Sequence, residues 1–423
     1  MRKKRIEGRD FIIVGLTSFD VPYGSNCKNI AEEIARNNRV LFVNRPLDRI
    51  SFLRKRKDTM VQKRLSVLRG EETDLVQSGE NFWNLYPKTV LESVNWFNVS
   101  AVFDFFNKIN NRRIARQIKK AVEKLSFRDV IILNDNDIFK SFYLKEFIQP
   151  EKYVYYIRDY LIGLEYWARQ GRRLEEQLIR KSDLVVANSM FLQAYCAQFN
   201  DRSYYVGQGC AISHFKDALW EVPEDLKDKA SPIIAYIGSL DSNRLDINLI
   251  VAISKSHSDW SLVLIGPEDK QFKESVLHQL DNVYFLGNKK FEDLPAYIKH
   301  IDVCMNPQKN NALTIGNYPR KIDEYLAMGK ATVATKTKTM EAFKEHVYLA
   351  ESAEAFITLI EKAIREDSAE KVQKRKAFAR EHTWENSVGA IYDAIVNVEA
   401  FNKQTVLEGE DRMVSSRSVF KKE

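Results

Sequence analysis

The chain has 423 residues, of which 44% are hydrophobic, 29% charged and 11% aromatic, with only 16 Gly and 10 Pro. That composition excludes a fibrous or disordered protein, and the length exceeds what one hydrophobic core holds, so two domains are expected. The net charge of +7 is uneven, with 36 Lys+Arg against 25 Asp+Glu up to Val206 and an acidic remainder.

The basic half points to an anionic lipid surface or an acidic substrate. No nucleic-acid reading module accompanies it, so nucleic acid is not an expected partner. No apolar run approaches the roughly 20 residues of a membrane span. The apolar stretch after the opening MRKKR is too short for a signal peptide. Cys27, Cys196, Cys210 and Cys304 are scattered with no CxxC pair, which fits a reducing cytoplasm better than a zinc set or a disulfide framework.

In chain order, short β-rich runs alternate with helical patterns, the signature of parallel sheets wound with helices. The first half reads as strands at Phe11–Gly15, Val40–Val43, Val130–Leu133, Tyr153–Ile157, Leu184–Ala187 and Tyr204–Val206. Helices are expected over Asn29–Arg36, Ile114–Leu125 and Gly171–Arg180. The second half reads as strands at Ile233–Ile237, Ser261–Ile265, Val283–Phe285, Val303–Asn306 and Ala331–Ala334, with a helix over Leu294–Lys299. The fold class is therefore α/β, two Rossmann-like doubly wound domains facing a cleft. Domain bounds are expected at 1–210 and 211–382, with a closing helix over 383–400 and a polar tail over 401–423.

Each half opens with a strand that runs into glycine, at Gly15 and at Gly238-Ser239, where backbone N–H groups can approach a phosphate or sugar. Neither loop spells a dinucleotide fingerprint or a P-loop. The first loop ends in Gly24-Ser25-Asn26 before a helix.

The segment Asn317–Lys330 carries the strongest signal. Asn317 is expected as N-cap, Pro319 in the first turn and Gly329 as the left-handed terminator. Ile322, Tyr325 and Leu326 form a core stripe, while Lys321 and Glu324, three apart, share the opposite face. That spacing fits a lysine neutralising a diphosphate and a carboxylate accepting ribose hydroxyls. It equally fits a solvated pair on a surface helix.

This run, Pro319-Arg320-Lys321-Ile322-Asp323-Glu324-Tyr325-Leu326-Ala327-Met328-Gly329-Lys330, resembles the donor-binding helix of GT-B glycosyltransferases. The likeness is to the glycosyltransferase 4 superfamily and its teichuronic-acid-type relatives. Lys181–Ser189, Val206–Cys210 with Phe215, Ile234–Asp241, Val263–Pro267, Val283–Gly287 and His382–Glu385 resemble further family motifs in the same order.

The resemblance implies a metal-independent hexosyltransferase-like enzyme of polysaccharide biosynthesis that retains anomeric configuration. It implies no cofactor; a nucleoside-diphosphate sugar is the donor substrate, and a cell-surface glycan or lipid-linked molecule is the acceptor. Gly238, Ser239, Arg244, Lys321 and Glu324 would meet diphosphate and ribose, and Gly266, Asn288 and Pro295 the base. Ser239 stands where the family often has Arg, and Gly316 where it has a glutamate. Backbone N–H groups around Ile315–Tyr318, those of Gly316 and Asn317 among them, are expected to replace that acid.

Arg158-Asp159, at the end of a first-domain strand, are the expected catalytic pair; Asp159 also suits a helix cap. Asn134-Asp135-Asn136-Asp137 reads as a polar acceptor loop, with Gly24, Ser25, Asn26, Asn134 and Asp135 facing the acceptor and no metal. Trp96, Phe97, Phe103, Phe105 and Phe106, followed by Arg112-Arg113 and Lys119-Lys120, suit contact with an anionic membrane at its inner face. A sugar-nucleotide epimerase of the same architecture and a non-catalytic GT-B scaffold are the rival readings.

Overall fold

Runs of β-branched and aromatic residues that are apolar on both faces belong in sheets covered on both sides, and two such sheets organise the molecule. The computed structural model describes residues 6–21, 24–54, 58–216 and 218–399; the tail expected over 401–423 and the basic residues Arg2–Arg5 and 55–57 lie outside them. In the first sheet the strand order is Ser203–Tyr205, Leu184–Ala187, Lys152–Ile157, Ile131–Asp135, Asp10–Gly15, Arg39–Val43, Phe82–Leu85, Leu75–Gly79. All neighbours are parallel except the last pair. The second sheet runs Val283–Gly287, Ser261–Ile265, Ile233–Ile237, Val303–Asn306, Ala331–Thr335, Tyr348–Ala350, all parallel.

Alternation along each strand divides the core. Ile12 and Val14 face one layer, with the helices Ser100–Leu125 and Glu165–Lys181. Phe11 and Ile13 face the other, with the helix Asn26–Ala35 and the helical residues 384–399. Trp384, Val388, Ile391, Ile395 and Val398 of that last helix join the first-domain core although the chain reaches them from the second. Burying each such side chain stabilises by about 1.5–3 kcal/mol. Every strand read from the sequence is present within one or two residues. Leu75–Gly79, Phe82–Leu85 and Tyr348–Ala350 were not anticipated; the first is an exposed edge ending in Gln-Ser-Gly, which carries no alternation to read.

No described helix is long and apolar enough to cross a membrane. The four cysteines are buried and unbridged. Of the aromatic run, Phe103 is core, Phe97 and Phe106 stack at 5.3 Å, and Trp96 and Phe105 are each 63% exposed. The membrane-facing set is thus smaller than expected, because the helix over Ser100–Leu125 turns Phe103 inward.

Candidate active site

The carboxyl ends of both sheets face one cavity of about 290 Å³. Gly24, Ser25, Asn26, Arg158 and Asp159 line it from the first domain, and Asn317, Tyr318 and Arg320 from the second. Ligands of doubly wound sheets bind at this end.

On the second-domain side, the helix is Lys321–Ala327, shorter than expected. Arg320 precedes it with no side-chain cap, and Asn317 instead donates its backbone N–H to Thr314. The expected cap is displaced because Asn311 accepts from the N–H groups of Leu313 and Thr314 and winds its own turn first. Ile322, Tyr325 and Leu326 are buried, and Gly329 ends the helix at φ +76°. The Tyr325 hydroxyl accepts from the Ile237 N–H at 2.9 Å, fixing the helix to the strand that leads into Gly238.

Lys321 and Glu324 are not a solvated pair. Glu324 is buried, and Lys321 reaches back to Gly238, with its Nζ donating to the Tyr236 hydroxyl and lying 4.0 Å from that ring's centre. Burial pushes the Lys321 ammonium down to about 7, with Arg244 and Arg320 adding to the depression and Glu324 opposing it. Burial likewise raises the Glu324 carboxyl, against Arg320 and Lys321; Arg320 Nε stands 3.6 Å from its Oε1. Lys321 thus lies against the glycine loop with Arg244 and Arg320 close enough to disfavour its charge, a cost that an anion would relieve. Arg320 was missed in the sequence, although it adjoins Lys321 at the same helix start.

Gly266, expected at the base, instead abuts this loop. It holds φ +145°, and a Cβ there would stand 2.0 Å from the Gly238 carbonyl oxygen. Pro295 is buried in the first turn of its helix, and Asn288 is exposed beyond Gly287. Ser239 accepts from the Tyr236 hydroxyl through its carbonyl at 3.1 Å. Gly316 lies at the domain interface: a Cβ there would meet the Phe191 ring at 2.8 Å, and its carbonyl accepts from the Ser189 hydroxyl.

On the first-domain side, Arg158 lies between Asp135 (2.8 Å) and Asp159 (2.6 Å). Burial opposes its charge, but the two carboxylates hold its pKa above the ordinary arginine value. The Asn136 side-chain oxygen accepts from the N–H groups of both Arg158 and Asp159, at 2.8 Å each, and sits at φ +56°. Asp159 caps no helix: Tyr160 and Leu164 hold the following N-cap positions.

Asn134 and Asp135 do not face an acceptor. Asn134 is fully buried and bonded to Asp137 and Tyr153. Asp135 is buried beneath Arg158, where burial raises its carboxyl pKa despite that arginine. The polar loop is spent on holding its own turn and the catalytic candidates. Ser25 caps the helix Asn26–Ala35, and Asn26 exchanges hydrogen bonds with Gln208, which also accepts from Asn188. Gln208 and Asn188 were not singled out in the sequence; both lie at strand-end turns that become neighbours only in the fold.

A third group lies within the second domain, where the chain is about to leave it. His382 Nδ1 and buried Asp323 Oδ1 are 2.6 Å apart, with Tyr318 donating to the same carboxylate at 3.2 Å.

Two facing Rossmann-like sheets with this cleft are the GT-B fold of glycosyltransferases. Residues 231–366 match the family model described as glycosyl transferases group 1. A curated relative, the putative teichuronic acid biosynthesis glycosyltransferase TuaH of Bacillus subtilis, is 28% identical over 170 residues. The match takes in 38% of this chain and 42% of that protein's length. Among solved structures, Anabaena HepE in complex with UDP superposes with TM-score 0.63 at 15% identity, covering 92% of this chain and all of HepE. Sucrose-phosphate synthase from Thermosynechococcus elongatus gives 0.65 at 15% identity, covering 93% and 100%. The UDP-forming trehalose-phosphate synthase of Burkholderia vietnamiensis gives 0.67 at 9% identity, again over 93% and 100%. The resemblance read from the motifs therefore holds for the fold.

Proposed function

We propose that this chain transfers a sugar from a nucleoside-diphosphate sugar to a cell-surface glycan or lipid-linked acceptor, with retention at the anomeric carbon. The observation that carries the reading is Lys321 lying against Gly238, with Arg244 and Arg320 close enough to act on its charge, on a wall whose Arg320 shares the cleft with Arg158-Asp159. Preorganised cations stabilise the departing diphosphate without a metal. Glu324 takes the ribose, and Asp159, held by Arg158, orients or deprotonates the acceptor hydroxyl. The UDP complex of HepE supports a uridine donor, and the relation to TuaH supports polysaccharide synthesis.

Retention rests on the motif resemblance. Work at the cytoplasmic face of a membrane is supported by exposed Phe105 and by exposed Arg112, Arg116, Lys119 and Lys120 on the same helix. Sedimentation with anionic vesicles at low and high salt tests that contact, and no binding at low salt removes it.

Calorimetry with a panel of nucleoside-diphosphate sugars tests the donor assignment. Lys321→Ala and Glu324→Ala are each expected to weaken binding by about 1–3 kcal/mol. Wild-type affinity in both would overturn the assignment, and donor consumption without acceptor would point to the epimerase.

A further inference from the structure

A second cavity, of about 510 Å³, opens on the carboxyl edge of the first sheet. We propose that it holds the terminal sugar of the acceptor, with Lys140 and Asn107 donating to that sugar's oxygens and Trp96 and Tyr166 lying along its apolar face. This rests on the transferase reading above and names the acceptor half of it.

The unspent groups decide the ligand's chemistry. Asp48 accepts from Ser51 and Ser93, Glu92 from Arg49 and Arg113, and Asp137 from the N–H groups of Phe139 and Lys140. Asn110 is closed in a two-way bond with the Glu92 backbone. Two groups remain. Asn107 is 1% exposed, its oxygen accepts from Asn111 at 3.3 Å, and its Nδ2 has no partner among the described residues. Lys140 Nζ makes no hydrogen bond and no ion pair among the described residues, and burial holds it down to about 8, with Arg45 adding and Asp137 and Asp48 opposing. Both are donors, so the missing partner must accept, as hydroxyl, carboxylate or phosphate oxygens do.

The rim has the opposite character. Trp96 is 63% and Tyr166 62% exposed, with Ile50 beside them. The Asn95 amide donates to the Tyr166 hydroxyl and sets that ring's position. Flat aromatic faces above buried donors match a pyranose, which is apolar on its C–H face and accepting at its edge. The volume suits one or two sugar rings.

The cavity also adjoins the cleft through shared chain. Leu16 lines the cavity and Thr17 the cleft; Asp137 lines the cavity while Asp135 grips Arg158 beneath Asp159.

The test titrates the full chain with methyl glucoside, galactoside, N-acetylglucosaminide and glucuronide, and separately with UDP, by calorimetry and saturation-transfer NMR. At least one glycoside is expected to bind, with Lys140→Met and Trp96→Ala each weakening it about tenfold or more and leaving UDP affinity unchanged. Trp96 is an exposed rim residue, so its variant keeps the test open if Lys140→Met fails to fold. If UDP binds but no glycoside does, or if both variants bind the glycoside like wild type, this assignment is wrong and the donor reading survives. If neither UDP nor glycoside binds, both fall.

Discussion

The two walls of the cleft are built on different principles. The second-domain wall is local: Lys321, Glu324 and Arg320 come from one turn of chain, and a single glycine loop, held by Tyr325, completes it. The first-domain wall is assembled from separate strand ends. Asn136 follows one strand, Arg158 and Asp159 another, and Gln208 and Asn26 two more turns. A locally encoded wall tolerates change elsewhere in the fold, whereas an assembled one depends on the register of the whole sheet.

The sharpest way to break this contrast is Asp159→Asn. Turnover is expected to fall by about a hundredfold or more while UDP affinity stays at wild type; equal loss of both would mean that the walls do not divide their labour. Second in size is the pH dependence of UDP binding. A diphosphate favours protonated Lys321, so affinity is full below about pH 7, the lysine's depressed value, and declines as pH rises through it, by at most about tenfold per unit. In calorimetry the decline is to vanish in Lys321→Met.

Gly316→Ala tests the seam between the walls. The added methyl meets Phe191 at 2.8 Å, so thermal unfolding is expected to show destabilisation of about 1–3 kcal/mol, with any loss of UDP affinity smaller than that. Unchanged stability would return Gly316 to the donor site.

A further test uses Glu175, a buried carboxyl between the Tyr155 and Tyr195 hydroxyls. Burial raises it to about 7, against the two tyrosines' hydrogen bonds. Its contribution is present below the ordinary carboxyl value and lost as pH rises through 7, so Glu175→Gln should flatten denaturant stability between about pH 4.5 and 7. An unaltered slope would place the proton elsewhere.

The same contrast explains what was legible in the sequence. Buried parallel strands announce themselves as apolar runs, and the helix bearing Lys321 could be read because its stripe, turn and glycine are contiguous. Asn134 and Asp135 could not be read: an Asp-x-Asp turn looks alike whether its carboxylates face a ligand or an arginine, and only Arg158, twenty-odd residues away, decides. Lys140 and Asn107 carried no signal, since a lone lysine and a helical asparagine become a pair only when the helix Ser100–Leu125 packs beside the 131–135 strand end. The place of Gly316 at the domain seam could not be read for the same reason, its neighbour Phe191 lying across the domain boundary.

The chain crosses between domains twice, and the crossings touch. The Cys210 N–H donates to the His382 carbonyl at 2.9 Å, and Gly209 packs so closely on Trp384 that a Cβ would overlap its ring at 2.2 Å. Two tethers side by side act as a door hinge rather than a ball joint, leaving the lobes one easy axis along which to swing. They also mean that the first lobe cannot be cut free at residue 210, because its sheet would lose the cover that only the far end of the polypeptide supplies.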